Sequence, residues 1–138
     1  MNPGGRPRAL VVDDEAPFRK VVTEILEQRR LEVRCAADII EAMDVLRSWR
    51  PDILLLDVMM PGGSGLALLK RLRLDPKWRR LPIVIVSALA EKRDREAGIA
   101  AGANAYLTKP FSSSDLRRAL SGYVRVLGTA ELQAGDPS

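Results

Sequence analysis

Histidine is absent from the 138 residues, which removes histidine-based catalytic triads and histidine metal sites from consideration. Cysteine occurs once, at Cys35, so neither an intramolecular disulfide nor a thiolate metal cluster can form. That thiol closes an alternating apolar segment and reads as buried filler. No apolar run approaches the roughly 20 residues needed to span a bilayer. Met1 to Arg8 lacks the apolar heart of a signal peptide, so a cytoplasmic location and no membrane contact are expected. Internal repeats and low-complexity tracts are missing too.

The remainder has globular composition. Hydrophobic residues make up 46% and charged residues 29%, which leaves little room for disorder away from the ends. The length suits one domain, expected over residues 8–127, between loose tails at 1–7 and 128–138. Neither tail is long enough to be an output domain.

Short apolar runs at Ala9–Val12, Leu31–Cys35, Ile53–Leu56, Ile83–Val86 and Ala105–Leu107 predict five strands. Between them apolar residues recur at helical spacing: Phe18, Val21, Val22 and Ile25; Ile39, Ala42, Met43 and Leu46; Leu68, Leu69 and Leu72. A polar, alanine-rich stretch from Glu91 to Ala101 forms a further helix, and the last carries Leu116, Ala119, Leu120 and Tyr123 on one face. Asp38 with Glu41, and Ser112 with Asp115, have the spacing of capping boxes. Strands this apolar, alternating strictly with helices, require a parallel sheet covered on both faces. The expected fold class is α/β, doubly wound (βα)5.

In such a sheet ligands bind beyond the carboxyl ends of the strands. Asp13 and Asp14 follow strand one, Asp57 strand three, Ser87 strand four and Lys109 strand five; strand two delivers only Cys35, Ala36 and Ala37. Strand two is therefore outermost, in the order 2-1-3-4-5. Three converging carboxylates raise one another's pKa unless a cation sits among them. Mg2+ takes such oxygen ligands while keeping waters and accepting a phosphate. With Lys109 opposite the metal, charge on a phosphoryl group in flight is neutralised while a carboxylate attacks in line. Asp57 is the central candidate.

Four segments, VVDDE at 11–15, LLLDVMMPGGSG at 54–65, IVIVSA at 83–88 and GANAYLTKPF at 102–111, resemble the receiver domain of bacterial two-component response regulators over roughly residues 8–125. The resemblance implies a flavodoxin-like three-layer sandwich and a phosphorylation-activated switch, which signals by protein contact and catalyses only its own phosphorylation and dephosphorylation. It makes Asp57 the phosphoacceptor and gives a Mg2+ or Mn2+ ion the side chains of Asp14 and Asp57 and the backbone carbonyl of Met59. Asp13 acts mainly through bound water. Lys109 contacts a phosphoryl oxygen, Ser87 is drawn toward the phosphoryl group, and Tyr106 turns inward behind it. The Lys109–Pro110 peptide is implied to be cis, against about 5% for X-Pro bonds in general. A histidine kinase or phosphotransfer protein donates the phosphoryl group. The readout face is helix 4, strand 5 and helix 5, toward a downstream protein effector, a missing output domain of its own, or a second copy.

Departures from the family pattern are local. Gly63 and Ser64 stand where the family often has a large apolar residue and an aspartate, although Ser64 can still cap the next helix. Met59 and Leu89, two residues beyond Asp57 and Ser87, position no proton acceptor and should crowd water, which predicts slow self-dephosphorylation. A haloacid-dehalogenase-type phosphatase also places a nucleophilic aspartate after a strand, but it needs a second acid at the position of Met59. A pseudo-receiver docking module would not need Asp13, Asp14, Asp57, Ser87 and Lys109 together. The basic stretch Lys70, Arg71, Arg73, Lys77, Arg79 and Arg80, opposed only by Asp75, reads as a solvated helix face. Direct nucleic-acid binding is not expected: no helix-turn-helix follows, and Trp78 alone makes no stacking platform.

Overall fold

The computed structural model describes residues 5–60 and 63–123, and of residues 63 and 64 the backbone alone. Residues 1–4 and 124–138, which include most of the N-terminal tail and all of the C-terminal one, lie outside the described residues. The sheet strands are β1 Arg8–Val12, β2 Glu32–Ala36, β3 Ile53–Leu56, β4 Ile83–Ser87 and β5 Ala105–Thr108. They alternate with α1 Ala16–Gln28, α2 Ile39–Ser48, α3 Gly65–Leu74, α4 Lys92–Ala100 and α5 Ser113–Ser121. All pairings in the sheet are parallel, in the order β2-β1-β3-β4-β5. A two-residue antiparallel ladder, Met59–Met60 against Gly63–Ser64, rises from the loop after β3.

The alternating side chains of the strands divide the core in two. Leu10, Val12, Leu54, Leu56, Ile83 and Ile85 join Leu46, Leu68, Leu69 and Leu72 from α2 and α3. Ala9, Val11, Ile53, Leu55, Val84 and Val86 join Val22, Leu26, Leu116 and Leu120 from α1 and α5. At roughly 25 cal/mol per Å2 of apolar surface removed from water, each fully buried Leu or Ile is stabilising by about 1.5–3 kcal/mol. Two such layers hold the sheet rigid behind its loops.

Local signals act as their chemistry dictates, with instructive exceptions. Ser112 and Asp115 close a reciprocal capping box. Asp38 caps α2 through the Glu41 N–H, but the Glu41 carboxylate accepts from Ala37 rather than from the cap residue. The Ser64 side chain, expected as a cap, lies outside the described residues. Cys35 is exposed rather than buried, because β2 is an edge strand; its thiol lies 3.3 Å from Thr23 Oγ1. Tyr123 falls past the end of α5 and reaches back to donate to the Asn104 carbonyl at 3.0 Å. Among the described residues no helix is long and apolar enough to cross a membrane.

Candidate functional site

Each polar residue expected at the carboxyl edge of the sheet is there. The Asp13 N–H donates to the Ala36 carbonyl at 3.1 Å and the Asp57 N–H to the Val12 carbonyl at 2.9 Å, so the ladder itself fixes both backbones. Carboxylate oxygens of Asp13, Asp14 and Asp57 lie within 4.8 Å of one another, with Asp13 and Asp57 buried and Asp14 exposed. Buried like charges this close are costly without a cation. Carboxylate oxygens are the donors a hard divalent ion takes, and the exposed Asp14 side leaves room for waters. The donor set fits a metal of that class.

Lys109 supplies the other charge. Its Nζ donates to Asp13 Oδ2 at 2.7 Å, to Glu15 Oε1 at 3.2 Å and to Asp57 Oδ2 at 3.4 Å. It also lies 4.0 Å from the centre of the Phe18 ring. The Lys109–Pro110 peptide is cis. The Lys109 N–H donates to the Ser87 carbonyl at 2.8 Å, which fixes the Lys109 backbone at the sheet edge.

These surroundings set the charges. Burial pushes the Asp57 carboxyl above the usual carboxylate range and the Asp13 charge adds to the rise; the Met59 N–H and Lys109 oppose without cancelling it. For Lys109, burial alone lowers the pKa, but the hydrogen bond and charge of Asp13, with Asp57 and Glu15, outweigh it and leave the ammonium raised. A fully charged lysine thus faces an acid whose ionisation is resisted. Shifts with such causes, clustered at one sheet edge, are characteristic of functional sites.

The expected switch residues are connected. Ser87 is fully buried, and its Oγ accepts from the Leu89 N–H at 3.1 Å. The Tyr106 hydroxyl donates to the Leu89 carbonyl at 2.7 Å, so the ring already lies inward. Met59 is 54% exposed, and its N–H donates to Asp57 Oδ1 at 2.9 Å.

Several contributors escape a reading of motifs. Glu15 and Phe18 hold Lys109, while Arg19 donates to the Asp13 carbonyl at 2.6 Å. Their signal is position: Glu15 ends the VVDDE segment at the N-cap of α1, and Phe18 and Arg19 follow on its first turn. Gly65 lets α3 start against the site: a Cβ there would stand 2.3 Å from the Asp57 carbonyl oxygen. Gly98 admits Tyr106, whose ring would lie 3.1 Å from a Cβ. Arg95 covers that ring at 5.3 Å and donates to Thr108 Oγ1 at 2.8 Å. Beside Lys109 an apolar depression of about 530 Å3 is lined by Pro17, Phe18, Val21, Ala88 and Phe111 among others.

Residues 9–121 match the sequence model of the response regulator receiver domain. The chain belongs to the response-regulator receiver family. As a receiver domain it is a signalling module of the phosphorylation-switch type with an acidic pocket, not a conventional enzyme. Among relatives, the phosphate regulon transcriptional regulatory protein PhoB of Escherichia coli is 41% identical over 118 residues, 86% of this chain and 52% of the relative. PhoB of Pseudomonas aeruginosa is 37% identical over 125 residues, covering 91% of this chain and 55% of its own length. The receiver chain thus spans about half the length of these relatives. Chemotaxis protein CheY4 of Vibrio cholerae superposes with a TM-score of 0.81 at 29% identity, covering 86% of this chain and 99% of that one. The receiver domain of a Pseudomonas aeruginosa sensor histidine kinase gives 0.79 at 30% identity, covering 88% and 99%, and is described with a magnesium ion coordinated in its active-site cleft.

Proposed function

We propose that this receiver accepts a phosphoryl group on Asp57 from a histidine kinase or phosphotransfer protein in a cytoplasmic two-component phosphorelay. The observation that carries the reading is Lys109 Nζ, within hydrogen-bonding reach of Asp13 at 2.7 Å and Asp57 at 3.4 Å, opposite an exposed Asp14. An Asp57 carboxylate oxygen attacks phosphorus in line and the P–N bond of the donor phosphohistidine breaks. The imidazole leaves with the electron pair and takes up a proton from solvent. Lys109 neutralises charge on the equatorial oxygens.

Asp14, Asp57 and the Met59 carbonyl would hold Mg2+ or Mn2+, with Asp13 acting through water. The ion supplies charge neutralisation where carboxylate and phosphoryl group meet. The apolar depression beside Lys109 offers contact area to a donor protein that must bring its phosphohistidine to Asp57.

Once formed, the aspartyl phosphate offers strong acceptors to the Ser87 hydroxyl and to Lys109. Turning Ser87 toward it releases the Leu89 N–H, and the Leu89 carbonyl carries the change to Tyr106. The altered face comprises α4, β5 and α5, where Ile99 is 49% exposed. A downstream protein effector, an output domain on a longer chain, or a second copy reads it. The transcriptional role named for the PhoB relatives is consistent with the second.

The test is incubation with Mg2+ and acetyl phosphate followed by intact-mass spectrometry. One added phosphoryl group, dependent on metal and lost in Asp57→Asn, supports the switch; no addition with metal demonstrably bound points to a docking module.

A further inference from the structure

The basic stretch is only partly a helix face. Lys70, Arg71 and Arg73 lie on α3, but Lys77, Arg79 and Arg80 lie in the connection between α3 and β4. There Lys77 and Arg80 meet Arg50, which precedes β3, at the amino ends of β3 and β4. This is the edge of the sheet opposite Asp57 and Ser87. A cleft of about 150 Å3 at that edge is lined by Arg50, Lys77, Trp78, Arg80 and Leu81, three cations and no carboxylate.

The lining is built rather than incidental. Trp78 is 5% exposed and forms the wall. The Arg50 guanidinium and Lys77 ammonium are held over that one indole, 5.3 Å and 4.9 Å from its ring. The loop carrying Lys77 and Arg80 is fixed from behind by Arg73, which donates to the carbonyls of Trp78 at 3.1 Å and Arg79 at 3.3 Å. Asp75 is spent on the Lys77 backbone N–H at 2.8 Å. Among the described residues Arg50, Lys77 and Arg80 form no ion pair. Unpaired like charges gathered on a rigid concavity raise one another's energy, and an anion among them relieves it.

We propose that this cleft binds a phosphate-class anion, one carrying two or more charges on adjacent oxygens. Size and charge select that class. Drug-sized ligands need roughly 300–1,000 Å3, whereas a tetrahedral dianion suits a small cleft lined by three cationic residues and no carboxylate. Single-stranded nucleic acid does not fit, because the indole face on which a base would stack is covered by Arg50 and Lys77. The proposal is independent of phosphorylation at Asp57.

The experiment is a two-dimensional 15N–1H titration of the full chain, stripped of divalent metal on chelating resin, at constant ionic strength. Orthophosphate and pyrophosphate are the probes, and sodium chloride is the control. The Trp78 indole N–H and the amides of Lys77 to Leu81 should move and saturate while the Trp49 indole stays still. Saturation by orthophosphate identifies a lone phosphate as the ligand; tenfold or tighter binding of pyrophosphate identifies linked phosphates. Lys77→Gln and Arg50→Gln, both at exposed positions, should each weaken binding at least tenfold with the rest of the spectrum unchanged. Shifts that never saturate, match those from chloride, or survive both substitutions overturn the proposal.

Discussion

The Tyr106 hydroxyl donates to the Leu89 carbonyl at 2.7 Å, while the Leu89 N–H is held by Ser87 Oγ at 3.1 Å. One residue thus ties the buried hydroxyl beside the site to an aromatic ring on β5. Tyr106→Phe keeps the ring and deletes the bond. A net loss of about 1 kcal/mol is expected, with faster amide exchange in the loop from Ala88 to Glu91. Phosphorylation should proceed at the wild-type rate while shift changes in α4 shrink. Unaltered α4 changes would show that Tyr106 is filler.

Asp57 is held above its ordinary pKa by burial and by Asp13. A carboxyl whose folded-state pKa is raised favours the fold while protonated. That contribution is complete below the unfolded-state pKa and is lost as pH rises through the folded-state pKa, so at neutral pH the buried ionised group is a penalty relative to a neutral side chain. Asp57→Asn should therefore melt a few degrees higher than wild type at pH 7 without metal. The gap should close on acidification toward pH 4 and when Mg2+ is added. Thermal melts across pH check the sign, and a variant that melts lower at pH 7 refutes it.

Gly65 cannot take a side chain cheaply. Its Cβ would meet the Asp57 carbonyl oxygen at 2.3 Å and the Val58 Cα at 2.7 Å, both backbone atoms unable to rotate away. Gly65→Ala should cost about 1–3 kcal/mol and slow phosphorylation by displacing Asp57. Denaturant unfolding and the mass assay read the two effects separately.

Met59, 54% exposed, and Leu89 stand two residues beyond Asp57 and Ser87, where they are expected to crowd water approaching a phosphoryl group. Neither side chain can orient it. Combining Met59→Asn with Leu89→Glu leaves the Leu89 backbone bonds in place and supplies polar groups. The phosphoryl lifetime should fall at least tenfold, in line with the roughly 100-fold or greater effect of a positioned general base. A lifetime no shorter than in the wild type would sink the reading.

Strand order, the two-sided core and the set Asp13, Asp14, Asp57, Ser87 and Lys109 were legible because period and polarity are written locally. Tertiary facts were not. Strand two reads as outermost, yet the apolar alternation ending at Cys35 does not say that an edge position leaves this thiol exposed. The charge run after Leu69 looks uniform, but Arg73 turns inward to the Gly102 carbonyl at 2.8 Å whereas Lys77 and Arg80 line a cleft. Helical spacing puts Val21 with the core residues of α1, though it is 55% exposed and borders the depression beside Lys109. Glu15 lies within the VVDDE segment but takes no role from it, because its partner Lys109 arrives from 94 positions further along the chain.

That arrival has a temporal side. Asp13 and Lys109 meet across 96 positions of sequence, so a ribosome-bound fragment ending before β5 contains the acids without their counter-charge. Contacts of such separation close late, after the entropy of the intervening loop has been lost. The chain becomes competent to receive a signal only as its last strand docks, and unfinished or unravelled copies are silent by construction.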